Sequence, residues 1–154
     1  MKRLSALALI LAIPTMALAA NVAPGDVSFD GMAVGEPVAE SSGDPEAGRE
    51  VFVDRGLGNC LACHQNSEIE NAQFPGNVGP SMDGVASRWE PEQLRAIIVN
   101  AKEVFGPDTI MPGFYTLDVG VDVAEDRKGE TILSAQQVED VVAYLGTLKE
   151  ESAQ

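Results

Sequence analysis

Apolar residues recur with a helical period in three places along the chain, and nowhere with the strict alternation of a half-buried strand. The first helix is predicted to start at Asp44-Pro45-Glu46, an N-cap, a proline suited to the first helical position and an acid that complements the helix dipole. Ala47, Gly48, Val51 and Phe52 then share one face, and Gly56 and Gly58 around Leu57 stop the helix near Arg55. The second begins near Glu90-Pro91, places Leu94, Ile97 and Ile98 together, continues through Val99 and Ala101 towards Phe105, and ends at Gly106-Pro107-Asp108. The third opens on Ser134 with Gln137 three residues later, a capping box, and aligns Val138, Val141, Val142, Leu145 and Leu148. The stretches 65–88, 106–116 and 117–133 are rich in Gly, Pro and polar residues. The expectation is an all-α domain of three main helices joined by long loops, whose centre needs something more than side chains to fill it.

The apolar run from Leu4 to Leu18 differs in kind. It follows Lys2 and Arg3, is interrupted only by Ser5, Pro14 and Thr15, and ends in the small-residue pattern Ala17-Leu18-Ala19. It is shorter than the roughly 20 apolar residues of a membrane span. Residues 1–19 are therefore expected to be a cleaved signal peptide rather than a membrane anchor, which places the protein in the periplasm. Residues 20–43, rich in Ala, Val, Gly and Pro without periodicity, read as an extended arm, the alternative being a disordered leader. Residues 44–150 form the domain, and the length after cleavage suits one core. Loss of Lys2 and Arg3 leaves 8 basic against 24 acidic side chains, a net charge of −16. That charge argues against nucleic acid and anionic membranes, and favours solubility and a partner with a basic patch.

The chemistry is concentrated in Cys60-Leu61-Ala62-Cys63-His64. Two thiols at this spacing followed at once by His suit thioether bonds to the two vinyl groups of a haem, with His64 on the iron. Zinc would need further ligands, yet the chain holds only these two Cys and this one His. A thioredoxin-like dithiol expects a strand-helix-strand setting, and a disulfide across two residues would be strained and stabilise little. The reading is one covalently bound haem c. The single His excludes bis-His ligation, leaving Met, Lys, water or nothing as sixth ligand. Met111, 47 residues beyond His64 in Thr109-Ile110-Met111-Pro112-Gly113, is the expected ligand, with a core filler as the alternative; Met82 is expected to pack on the proximal side. The second His64 nitrogen needs an acceptor, for which the Gly79-Pro80 carbonyls are the candidates. Trp89 and Arg88 are candidate donors to the haem propionates, or else a core Trp and a surface Arg.

These features together resemble the class I cytochrome c fold, in which the first and last helices cross at a close contact, here Gly48 and Phe52 against Tyr144 and Leu145. More narrowly, the runs 58–64, 108–112 and 131–145, with the leader Val22 to Val27, resemble the SoxX family. That family is the small cytochrome subunit of the SoxAX complexes of bacterial thiosulfate oxidation. The resemblance implies Cys60 and Cys63 as attachment sites, His64 and Met111 as axial ligands, and a SoxA-like haem subunit as heterodimer partner. It also implies a SoxYZ-like carrier, to whose cysteine the complex conjugates thiosulfate, and a downstream acceptor for the released electrons. Within such an L-cysteine S-thiosulfotransferase complex this chain would relay electrons and not catalyse, since both its cysteines are taken by haem. A free monomeric electron shuttle is the competing reading; a catalytic or sensing haem protein would need an open iron position that Met111 would close.

Overall fold

The computed structural model describes residues 20–69 and 75–150; the predicted signal peptide lies outside them. Three α-helices form: α1 (Pro45–Val53), α2 (Pro91–Phe105) and α3 (Ala135–Leu145), with short 3-10 turns at Pro24–Asp26, Cys60–Ala62, Val85–Ser87 and Glu125–Arg127. Among the described residues there is no strand, only an isolated bridge between Asp30 and Ala33, and no helix is long and apolar enough to cross a membrane.

The helix starts follow from local chemistry. Asp44 Oδ1 accepts from the backbone N–H groups of Glu46 and Ala47, satisfying donors that the first turn leaves orphaned. Capping boxes open both α2, through Glu90 and Gln93, and α3, through Ser134 and Gln137. The ends are less regular than the apolar stripes imply. α1 stops at Val53, two residues short of Arg55. α3 stops at Leu145, where the Thr147 hydroxyl takes the carbonyl of Tyr144. Leu148 is nonetheless buried, and its carbonyl accepts from Ala86.

α2 is not one uninterrupted helix. Asn100 has extended backbone angles (φ −155°, ψ 94°), and its side-chain oxygen accepts from the N–H of Lys102, 3.2 Å away. The break frees the carbonyls of Ile98 and Val99, which accept from the backbone of Phe114 and Tyr115 at 3.0 and 3.1 Å. The loop carrying Met111 is thereby stitched to the kink.

α1 crosses α3 closely. A Cβ on Gly48 would lie 1.9 Å from Asp140 O and 2.9 Å from Tyr144 Cβ, so only glycine permits this approach. Beside it Phe52 meets Tyr144 edge to face, ring centroids 5.5 Å apart. The core joins Val51 and Phe52 of α1, Leu94, Ile98 and Val99 of α2, and Val138, Val141 and Leu145 of α3.

The leader 20–43 lies against this core, mostly without regular structure. Val34, Val38 and Ala39 are buried, and Val22 N–H donates to Val38 O, closing the segment on itself. Its attachment is polar. Arg95 of α2 and Glu139 of α3 form a buried ion pair (Nε to Oε1 2.8 Å) that holds the leader from both sides. Arg95 also donates to Val34 O, and Glu139 also accepts from Val38 N–H, each at 2.8 Å.

Candidate haem site

The segment after α1 is a run of tight turns. Gly58 N–H donates to Val51 O, and Asn59 takes a left-handed conformation (φ 48°, ψ 37°) that an Asn tolerates better than most residues. The 3-10 turn Cys60–Ala62 follows, and the N–H groups of Cys63 and His64 both donate to Cys60 O. One turn therefore carries both thiols and the imidazole.

The ring of His64 is fixed from the next loop. Its Nδ1 lies 2.7 Å from the carbonyl oxygen of Pro80. A carbonyl only accepts, so Nδ1 carries a proton, and in the neutral imidazole this tautomer leaves on Nε2 the lone pair that metal ligation requires. Gly79 lies against the ring, with no room for a side chain: an added Cβ would sit 2.3 Å from His64 Cε1. Further bonds keep the two loops in step: Gly76 to Leu61 O, Gly79 to Cys63 O and Met82 to Gln65 O. Met82 itself is buried in the core.

Arg88 braces the same loop. Its guanidinium donates to Asp83 O at 2.6 Å and to Ser81 O at 2.7 Å. The planar fork thereby engages backbone carbonyls within its own loop. Asp83 accepts from the Ser67 hydroxyl and backbone N–H, and these bonds, aided by Ser81 and the Arg88 charge, hold its carboxyl below the usual value. Trp89 is half-buried, with its ring edge-on to Phe105 at 6.0 Å.

Met111 is partly buried and packs on the core together with Leu57, Cys60, Leu61, Trp89 and Val104. Its neighbour Ile110 is 79% exposed, and Val78 before Gly79 is 64% exposed. A groove of about 320 Å³ lined by Pro37, Ala39, Ser42, Arg95, Glu139 and Val142 contains none of the predicted haem residues and lies under the leader instead.

The residues fit a covalent haem. Cys60 and Cys63 are unpaired thiols, and burial pushes the Cys60 thiol up to about 12. A redox dithiol depends on a lowered value, because the thiolate is its nucleophile; a sulfur seated among apolar groups suits a thioether. Among the described residues no cluster of three His, Cys, Asp or Glu side chains is placed to hold a metal ion.

The cytochrome c family model matches residues 45–149. A search of curated proteins found no match. Among solved structures, SoxXA from P. pantotrophus contains a chain 41% identical to this one, with a TM-score of 0.77, covering 84% of this chain and 99% of that one. The c-type cytochrome SorU from Sinorhizobium meliloti is 24% identical, with a TM-score of 0.43, over 68% and 90% of the two chains, a likeness too weak to build on. The chain belongs to the cytochrome c family: it is an electron-transfer protein with covalent haem c, and Cys60 and Cys63 fit the attachment motif. Within that family it falls among the SoxX cytochromes.

Proposed function

We propose that this chain is the electron relay of a SoxAX-type heterodimer in the periplasm. Its 41% identity to a chain of SoxXA, over 99% of that chain, carries this reading. Oxidative conjugation of thiosulfate to a cysteine of a SoxYZ-like carrier forms an S–S bond and releases two electrons. This chain passes them, one at a time, to a downstream acceptor. It offers no third cysteine for the sulfur chemistry, which therefore belongs to the SoxA-like partner. Residues 1–19 serve as the export signal.

The bound haem supplies one-electron chemistry, and the chain supplies its setting. Cys60 and Cys63 would hold it through thioether links and His64 would offer Nε2 to the iron, while the Pro80 carbonyl fixes the imidazole through Nδ1. Met111 would supply a thioether to the iron, which would favour the reduced state and leave no position for an exogenous ligand. Trp89 would donate its indole N–H to a propionate.

Two measurements test the reading. Ferric protein should show the weak near-infrared band of sulfur-to-iron ligation, and Met111→Ala should abolish it; a band surviving the substitution would remove Met111 from the iron. Pull-down from the native periplasm under thiosulfate growth should recover a second haem subunit. Recovery of the chain strictly alone would establish the free shuttle in its place, and thiosulfate turnover by the isolated chain would overturn the relay.

A further inference from the structure

The leader and the Met111 loop meet at one hydrogen bond. The Tyr115 hydroxyl donates to Val22 O across 2.6 Å, joining residues 93 apart in sequence. Tyr115 is buried, and desolvation pushes its phenol above the usual value.

The same residue is tied to α2. Its N–H donates to Val99 O beside that of Phe114 to Ile98 O, and Phe114 O accepts from Leu133. Only Pro112 and Gly113 separate Met111 from this anchored pair. On the other side of Met111, Lys102 Nζ donates to Thr109 O at 2.6 Å. Of these anchors, the Tyr115 hydroxyl is the one that reaches the leader. Val22 in turn is not a loose acceptor, because it pairs with Val38, which Glu139 holds while Arg95 holds Val34.

We infer that the docked leader is part of the support of Met111, and that Tyr115 is the positioning residue that couples them. Without the Val22 bond the loop keeps its backbone contacts at the kink and the Lys102 bond to Thr109 O but loses its tie to the leader, and it opens more often. The inference rests on the reading of Met111 as sixth ligand. It extends that reading, because it makes a segment outside the helical domain a determinant of how firmly the iron is closed.

The test uses the full-length ferric holoprotein and the rate at which cyanide displaces the sixth ligand, a step gated by loop opening. Tyr115→Phe removes only the hydroxyl. It should keep the near-infrared band and accelerate cyanide binding about five-fold, the factor matching the net contribution of one hydrogen bond. Thr147→Val, which loses the bond from Thr147 to Tyr144 O at the far end of α3, is the control for general destabilisation and should leave the rate unchanged. Arg95→Lys loosens the leader from its other end by losing the fork to Glu139, and should accelerate binding in the same direction. If the wild type shows the band but Tyr115→Phe binds cyanide no faster, the coupling is wrong and Met111 still stands as ligand. An unchanged rate in Arg95→Lys, with leader amides exchanging faster, overturns the coupling equally. A wild type without the band overturns both readings.

Discussion

Pro80 O and His64 Nδ1 are 2.7 Å apart, and the glycine before that proline lies flat against the imidazole. The two contacts act on one ring: the carbonyl sets its tautomer, and the missing side chain sets how closely the loop approaches.

Gly79→Ala separates them. Its Cβ would fall 2.3 Å from Cε1 and 2.6 Å from Nδ1, so either the ring tilts or the loop retreats from it. Overpacking of this kind costs about 1–3 kcal/mol. Haem should still attach, since the thiols are untouched, but with a lower melting temperature and a reduction potential displaced from wild type. Thermal unfolding and a redox titration check this; unchanged values in both would mean the ring has room that the geometry denies.

Gly48→Ala should be worse for the fold and neutral for the iron. The added carbon meets the backbone carbonyl of Asp140 at 1.9 Å, and a backbone in mid-helix cannot swing aside as a side chain can. A cost of about 2–3 kcal/mol is expected, lowering the melting temperature by roughly 5–15 °C. The absorption spectrum of the folded fraction should stay native, because the added carbon meets Asp140 and Tyr144 and none of the predicted haem residues.

Short-range chemistry explains what was legible in the sequence. Asp44, Ser134 and Gln137 act within four residues of where they stand, and the cysteine motif and Pro80 are constrained by the haem and the imidazole they serve. The Asn100 break was hidden because no Gly or Pro marks it; the side-chain oxygen replaces a backbone acceptor, and the continuous apolar face conceals the change. The role of Arg95 was hidden for a different reason. Its partners, Glu139 and the carbonyl of Val34, lie 44 and 61 residues away, and no local pattern announces them. The Arg88 contacts to the carbonyls of Asp83 and Ser81 were hidden too, because backbone acceptors carry no residue signature.

The Arg95–Glu139 pair should be costly to break and cheaper to replace. Glu139→Ala strands a buried guanidinium and the Val38 N–H together, a loss of about 3–5 kcal/mol. Replacing both partners, Arg95→Met with Glu139→Leu, removes the stranded charge and should recover much of that loss. Recovery stays incomplete, because Val34 O and Val38 N–H still lack partners. Urea unfolding of the three proteins measures the order wild type, double variant, single variant. A single variant as stable as wild type would show that the pair does not hold the leader.

Acid should loosen the proximal loop before it unfolds the domain. The Ser67 hydroxyl and N–H, at 2.7 and 2.8 Å, favour the ionised form of Asp83 and hold its carboxyl below 3.8, the ordinary value. With the folded value depressed, the unfolded chain takes up its proton first. The stabilisation is therefore present above pH 3.8, and is lost as pH falls through that value and then through the lower folded one. Asp83 is exposed, so solvent screening keeps the effect on global stability small; the sensitive readout is local. Exchange of the Ser67 amide, corrected for its intrinsic pH dependence, should quicken as pH drops below about 4, the region of an ordinary Asp carboxyl. In Asp83→Asn the same amide should exchange faster at neutral pH and show no such acid step. If the step persists in that variant, another carboxylate governs the loop.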